Sequence, residues 1–183
     1  VITISKNGQT VVIESLNLDT GISALSAYLN QLSPLSRSRF GPHGYEIASL
    51  EQFFFRPGAP SAFVARESTY HQIIAYALLK RGFLDHDAPR LQSYGLRLDA
   101  ATDATFAPSV ADAWQSKGIG SALLEYIIHE ARKEGIHRII LWGGVQSGNP
   151  QAVRLYQKFG FRTLGSFEYY GENLDMVLEI EHE

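Results

Sequence analysis

The chain contains no cysteine in its 183 residues. Disulfides, thiolate metal sites and a cysteine nucleophile are therefore excluded. It also lacks an excess of basic charge: the formal net charge of −3 leaves no footprint for nucleic acid as the principal ligand. A mildly acidic surface does tolerate cationic amines. No apolar run approaches the length of a membrane span, and the first residues lack the basic-then-apolar layout of a secretory signal. A soluble, cytoplasmic protein with no membrane partner is the expectation. Internal repeats and low-complexity tracts are missing too. What remains is ordinary globular composition, 45% apolar and 19% charged, in a length suited to one domain over residues 1–183.

Alternating apolar residues at 1–4 and 10–13 predict an opening hairpin around Asn7-Gly8. Asp19 is placed to cap a helix carrying Ile22, Leu25, Leu29 and Leu32 on one face. Ser33-Pro34 restarts the chain as a short helix, and Ile47, Leu50 and Phe54 suggest another. Residues 62–65 and 72–79 read as an antiparallel pair of strands. From Gly82 to Asp103 the pattern indicates an insertion, with Asp85-His86-Asp87-Ala88-Pro89 and a short strand at 94–98. A strand at 105–110 then precedes an amphipathic helix striped by Ile119, Ala122, Leu123, Tyr126, Ile127 and Ala131. Gly135 ends that helix, and 137–142 forms the next strand, which implies a right-handed crossover between parallel strands. Asn149-Pro150 opens a last helix that Gly160 stops, and 162–170 with 175–180 closes the sheet as an antiparallel pair.

Gln115-Ser116-Lys117-Gly118-Ile119-Gly120-Ser121, between the 105–110 strand and the amphipathic helix, carries the most chemical information. A turn of this kind points successive N–H groups outward, and the helix adds its own unpaired N–H groups and positive dipole end. Together these suit a diphosphate, and the glycines permit close backbone approach. A Walker loop is excluded because no Lys-Ser/Thr follows Gly120. A dinucleotide fingerprint is excluded because Leu123 stands where its third glycine belongs.

Gln115-x-x-Gly118-x-Gly120 is followed about thirty residues later by Asn149-Pro150-Gln151-Ala152-Val153-Arg154-Leu155-Tyr156-Gln157-Lys158-Phe159-Gly160-Phe161. In this order, separated by a helix and a strand, the two motifs resemble the GCN5-related N-acetyltransferases (GNAT superfamily). The second matches that family's Asn-x-x-Ala-x-x-x-Tyr-x-x-x-Gly-Phe pattern at every diagnostic position. The segment Leu32-Ser33-Pro34-Leu35-Ser36-Arg37-Ser38-Arg39-Phe40 also looks like one found in a branch that includes protein-lysine acetylating enzymes. It reads equally well as a structural helix start with solvated arginines.

The resemblance implies an α/β fold with a central twisted, mostly antiparallel sheet of about seven strands, a parallel splayed pair at the coenzyme site, and flanking helices. It implies acetyl-CoA as co-substrate, no metal, and direct acetyl transfer to a primary amine in a ternary complex. The acceptor class is a small-molecule amine or a lysine side chain. The diphosphate would lie on the N–H groups of Gln115, Ser116, Lys117, Gly118, Ile119, Gly120 and Ser121, and backbone groups near Val110 and Asp112 would hold the pantetheine arm. Asn149 and Ala152 open the second motif; Asn149 would contact the pantetheine arm or act only as a helix cap. Tyr156 is either a core aromatic on the Ala152–Phe159 stripe or the general acid for the departing thiolate, and the motif favours the acid. For the base, the strand before the turn offers only Asp103; Asp112, ordered water, Glu67 and His86 are the alternatives. A catalytically silent CoA-binding or sensing domain is the rival reading, and a longer acyl donor a third. Homodimers are common in the family, and the sequence leaves the oligomeric state open.

Overall fold

The computed structural model describes residues 1–6 and 8–182. The expected turn residue Asn7 lies outside the described residues. Among the described residues, nine strands form one mixed sheet in the hydrogen-bonding order β1-β2-β3-β4-β5-β6-β9-β7, with β8 paired to β9. That is a mostly antiparallel sheet with one parallel pair, flanked by helices, as expected; the strands number nine rather than about seven. The chain divides into two compact units, residues 1–78 with 107–127, and residues 79–106 with 128–183.

In the first unit, β1 (Ile2–Lys6) and β2 (Gln9–Ser15) form the antiparallel hairpin, and β2 pairs in turn with β3 (Ser61–Glu67). Val11 and Ile13 alternate inward on β2, whereas the run from Ala62 to Ala65 on β3 is buried throughout. Helix α1 (Leu18–Asn30) has its cap two positions earlier than the sequence suggested. Asn17, not Asp19, is the cap, because its side chain accepts the Asp19 N–H at 2.9 Å. Such a cap contributes about 1 kcal/mol. Ile22, Leu25 and Leu29 of α1 and nearby Leu32 are buried as the spacing required. Ser33 caps α2 (Pro34–Ser38) through the Ser36 N–H, and α3 (Ile47–Phe54) buries Leu50, Phe53 and Phe54.

The second unit holds the parallel pair. Here β5 (Asp103–Val110) meets β6 (Arg138–Leu141) in a register running from Asp103↔Arg138 to Phe106↔Leu141. Beyond Leu141 the chain turns at Gly143 and Gly144, both at positive φ, into the short β7 (Val145–Gln146), which pairs with β9 (Glu172–Glu179). Only glycine adopts this doubled left-handed turn without strain, and a Cβ at Gly144 would lie 2.6 Å from the Leu174 carbonyl oxygen. Strand β8 (Arg162–Glu168) completes a hairpin with β9 and carries a register shift between Thr163 and Gly165.

The 82–103 insertion contains no strand at 94–98. It folds instead as α4 (Ala88–Ser93), opened by Asp87 and Pro89, with Leu91 packed on Ile140 and Val177. Tyr94, Leu96 and Leu98 pack around that cluster as separate loop residues, so their apolar alternation reflects anchoring rather than pairing. Helices α5 (Ile119–Lys133) and α6 (Pro150–Lys158) match the sequence reading closely. The α5 stripe is buried, while Glu125, His129, Arg132 and Lys133 face solvent. No helix among the described residues is long and apolar enough to cross a membrane.

Candidate active site

The turn between β5 and α5 belongs to the first unit. The Ala111 N–H donates to the Ile74 carbonyl at 2.8 Å, after which 112–114 makes one 3-10 turn. Ser116 and Gly118 then both take positive φ, 61° and 82°. Alternating left-handed residues curve the backbone so that its N–H groups converge on a concavity. The first hydrogen bond of α5 runs from the Ala122 N–H to the Gly118 carbonyl at 3.1 Å. The N–H groups of Ile119, Gly120 and Ser121 precede it and have no acceptor within the helix. Gly120 lies inside α5 and contributes by having no side chain.

Gln115 departs from the simplest version of this picture. Its N–H closes the 3-10 turn onto the Asp112 carbonyl, a long bond of 3.4 Å, and its side-chain Nε2 donates to the Val110 carbonyl at 3.1 Å and to Ser36 Oγ at 3.2 Å. Gln115 thus shapes the turn from inside. Lys117 places its Nζ 5.5 Å from the centre of the Trp114 ring. The Asp112 carboxylate accepts the Ser33 N–H at 2.9 Å, Ser33 Oγ at 2.7 Å and Ser36 Oγ at 2.7 Å. These donors from Ser33, with Ser36, hold its pKa below the usual aspartate value.

Residues that the sequence did not single out lie close to the same strand end. Tyr28 Oη and Ser109 Oγ share a hydrogen bond of 3.0 Å. Tyr76 Oη bonds His43 Nε2 at 2.8 Å, and His43 Nδ1 lies 2.8 Å from the Gly44 carbonyl. A carbonyl only accepts, so Nδ1 carries the proton and Nε2 accepts from Tyr76. Burial lowers the His43 pKa and keeps the ring neutral, and it pushes the Tyr28 and Tyr76 phenols well above their ordinary value. No local pattern announces this cluster, because its members come from α1, the loop after α2, β4 (Ile73–Arg81) and β5.

In the second unit, Tyr156 is buried on α6, its ring 6.5 Å from Phe106 and 5.2 Å from Phe161. Burial raises its pKa far above 10, so the phenol stays protonated across the physiological range. Asn149 caps α6, accepting the Ala152 N–H at a long 3.5 Å. Ala152, Leu155 and Phe159 are half-buried beside Tyr156.

Asp103 lies at the start of the parallel pair. It is 2% exposed, takes two hydrogen bonds from Arg138 at 2.9 and 3.0 Å, and accepts the Asp99 N–H at 2.8 Å. It is also the first residue of β5, whose last is Val110. At about 3.3 Å per residue the strand carries them about 23 Å apart. Asp103 thus ties the start of β5 to Arg138 and to the loop before it. Glu67 is committed as well, to the N–H groups of Thr69, Tyr70 and Gln72. Its burial raises its pKa, but those donors outweigh the effect and lower it. His86 is exposed beside Asp87 at 3.4 Å. No cluster of three or more His, Cys, Asp or Glu suited to a metal ion occurs among the described residues.

The backbone as a whole matches solved structures of one fold. It superposes on the GNAT domain of an S. lividans protein, PAT, with a TM-score of 0.73 at 21% identity, covering 97% of this chain and 96% of that one. The ribosomal-protein-S18-alanine N-acetyltransferase of Escherichia coli gives a TM-score of 0.62 at 21% identity, covering 94% and 96%. A family-wide sequence profile described as the acetyltransferase (GNAT) family matches residues 27–161. The chain belongs to the acetyltransferase (GNAT) family. Among curated relatives, [ribosomal protein bS18]-alanine N-acetyltransferase of Escherichia coli K12 is 41% identical over 64 residues, 35% of this chain and 40% of the relative. An L-methionine sulfoximine/L-methionine sulfone acetyltransferase of Pseudomonas aeruginosa PAO1 is 30% identical over 71 residues, 39% of this chain and 40% of the relative. The match spans about two fifths of the length of these curated relatives.

Proposed function

We propose that this protein is an acetyl-CoA-dependent N-acetyltransferase that moves acetyl directly from the thioester to a primary amine within a ternary complex. The observation that carries this reading is the left-handed pair Ser116 and Gly118 leading into the unpaired N–H groups at the start of α5. That is a backbone cradle for an anion, in a family whose members transfer acetyl groups. The N–H groups from Ser116 to Ser121 would hold the coenzyme's diphosphate, with Gln115 bracing the turn and backbone groups at Val110 and Asp112 receiving the pantetheine arm. A backbone N–H beside the thioester carbonyl would stabilise the charge that develops there as the amine attacks.

Tyr156 is assigned as the general acid. Its phenol is held protonated by burial and so carries a proton for the leaving thiolate. Burial leaves it a weaker acid than a free thiol, whose pKa is about 8.5, so the transfer must be concerted with C–S cleavage. Asn149 caps α6 and would meet the pantetheine arm near Ala152. The carboxylates offered by the sequence are each engaged elsewhere, so ordered water is the reading we adopt for deprotonation of the amine. The acceptor is a small-molecule amine or a lysine side chain. The named relatives act on amines of several kinds, including a probable spermine N(1)-acetyltransferase, and this supports the class rather than one member.

Thiol release from acetyl-CoA, measured against a panel of amines, tests the assignment, and the absence of cysteine keeps the readout clean. Amine-dependent release with intersecting double-reciprocal plots is expected. CoA binding without release from any amine would favour a silent binding domain, and parallel plots would point to a covalent intermediate on another residue.

A further inference from the structure

We propose that the Asp112 side chain is a positioning residue: gripped by Ser33 and Ser36, it latches the 33–40 segment to the turn that receives the coenzyme's diphosphate. This rests on the donor site proposed above and concerns a side chain to which that proposal gives no task.

Asp112 is exposed, and an exposed carboxylate needs no protein donors to satisfy it. It nevertheless takes three, at 2.9, 2.7 and 2.7 Å, from residues 79 and 76 positions away in the chain. Both hydroxyls converge on the single oxygen Oδ1, while the Ser33 N–H takes Oδ2. A second strut runs beside them. Ser36 Oγ donates to Asp112 and accepts from Gln115 Nε2, whose other bond goes to the Val110 carbonyl at the end of β5. The two serines of the Ser33-x-x-Ser36 segment therefore both face the 110–115 turn. That accounts for the serines of a motif whose Arg37 is occupied elsewhere, turning back to the Leu32 and Asn30 carbonyls at the end of α1.

Two physical consequences follow. Ser116 is a non-glycine residue at φ 61°, a conformation that persists where its surroundings over-determine it. The paired struts on Asp112 and Gln115 fix the chain immediately upstream of it. In addition, a carboxylate four residues before an anion cradle would oppose a diphosphate. The serine donors keep Asp112 ionised but fix its oxygens on Ser33 and Ser36, so its place is set by the latch and not by the anion.

The test compares the full chain with Asp112→Ala, Asp112→Asn and Ser36→Ala, by calorimetric titration with CoA and by amide hydrogen exchange with and without CoA. In Asp112→Ala the CoA Kd should rise fivefold or more. Exchange should quicken in peptides covering 33–40 and 111–118, while the β8–β9 hairpin exchanges as before. Ser36→Ala should move both readouts in the same direction by less. Asp112→Asn, which keeps one accepting oxygen, should recover part of the loss. A Kd within twofold of the parent and unaltered exchange at 33–40 would overturn the latch, as would quickened exchange throughout the molecule. If Asp112→Ala does not fold, Ser36→Ala decides by the same criteria. If the parent chain binds no CoA, the donor reading fails, and the exchange at 33–40 without CoA still decides the latch.

Discussion

Arg138 grips Asp103 across the first register pair of the parallel strands β5 and β6, with two hydrogen bonds of 2.9 and 3.0 Å to a carboxylate that is 2% exposed. The same guanidinium donates to the Arg97 carbonyl at 2.7 Å, so one side chain ties the loop before β5 to both strands. Removing one member of such a pair leaves the other charged and buried, which costs far more than the pair contributes. The pair is an anchor for the fold.

Arg138→Ala should therefore destabilise the protein by about 3 kcal/mol in chemical denaturation. Asp103→Asn should lower stability in the same sense while turnover per folded molecule stays within about threefold, since the general bases of transferases are worth on the order of a hundredfold or more. A stable Asp103→Asn protein with turnover down a hundredfold would return Asp103 to the chemistry.

Tyr156→Phe removes only a hydroxyl from a ring packed on Phe106 and Phe161. Thermal stability should change little, and kcat should fall on the order of tenfold or more if the phenol protonates the leaving thiolate. Because burial raises the Tyr156 pKa, no alkaline limb below pH 10 in the rate profile should disappear with this substitution. A rate matching the parent would reduce Tyr156 to a core residue.

His43 predicts a loss of stability on the acid side. Its folded pKa lies below the ordinary 6.5 because burial opposes the charged ring. As pH falls from about 6.5 toward that folded value, the unfolded chain takes up a proton that the folded one refuses. Stability should then fall by up to about 1.4 kcal/mol per pH unit. His43→Gln should remove this slope. Asp112, with its pKa lowered by Ser33 and Ser36, acts in a separate window, where stability is lost only as pH drops below 3.8. An unchanged slope between pH 6.5 and 5 in His43→Gln would contradict the burial argument.

At the other extreme, Tyr28, Tyr76 and Tyr156 are all buried, and burial raises each phenol's pKa above the reference value of 10.0. Above that pH the unfolded chain ionises and the folded chain does not. Each tyrosine should contribute a loss of about 1.4 kcal/mol per pH unit. Denaturation followed together with phenolate absorbance between pH 9 and 12 should show the buried tyrosines ionising only as the protein unfolds, in a step separate from the exposed Tyr70, Tyr169 and Tyr170. Ionisation of all nine tyrosines while the protein is still folded would refute it.

The elements that follow from short-range pattern were legible in the sequence. Helix α5 displays its stripe at 119, 122, 123, 126, 127 and 131, and α6 opens on Asn149-Pro150 and stops before Gly160, because periodicity, caps and breakers act within a few residues. Helix α4 was missed although Asp87 and Pro89 mark its start, since alternating apolar residues at 94, 96 and 98 imitated a strand. Strand β7, two residues long, leaves no periodic trace.

By itself the sequence determined the order of the longer helices and strands, the two motifs that carry the family likeness, and the impossibility of cysteine chemistry. Each of these depends on residue type and local spacing alone. Tertiary structure decided what the charged and hydroxyl-bearing side chains do. Asp103 pairs with a residue 35 positions away, Asp112 with residues 79 and 76 positions away, and Tyr28 with Ser109 across 81. A carboxylate has the same sequence signature whether it accepts a substrate's proton or a serine's hydroxyl. Only folding, which brings distant donors within about 3 Å, settles which of the two it does.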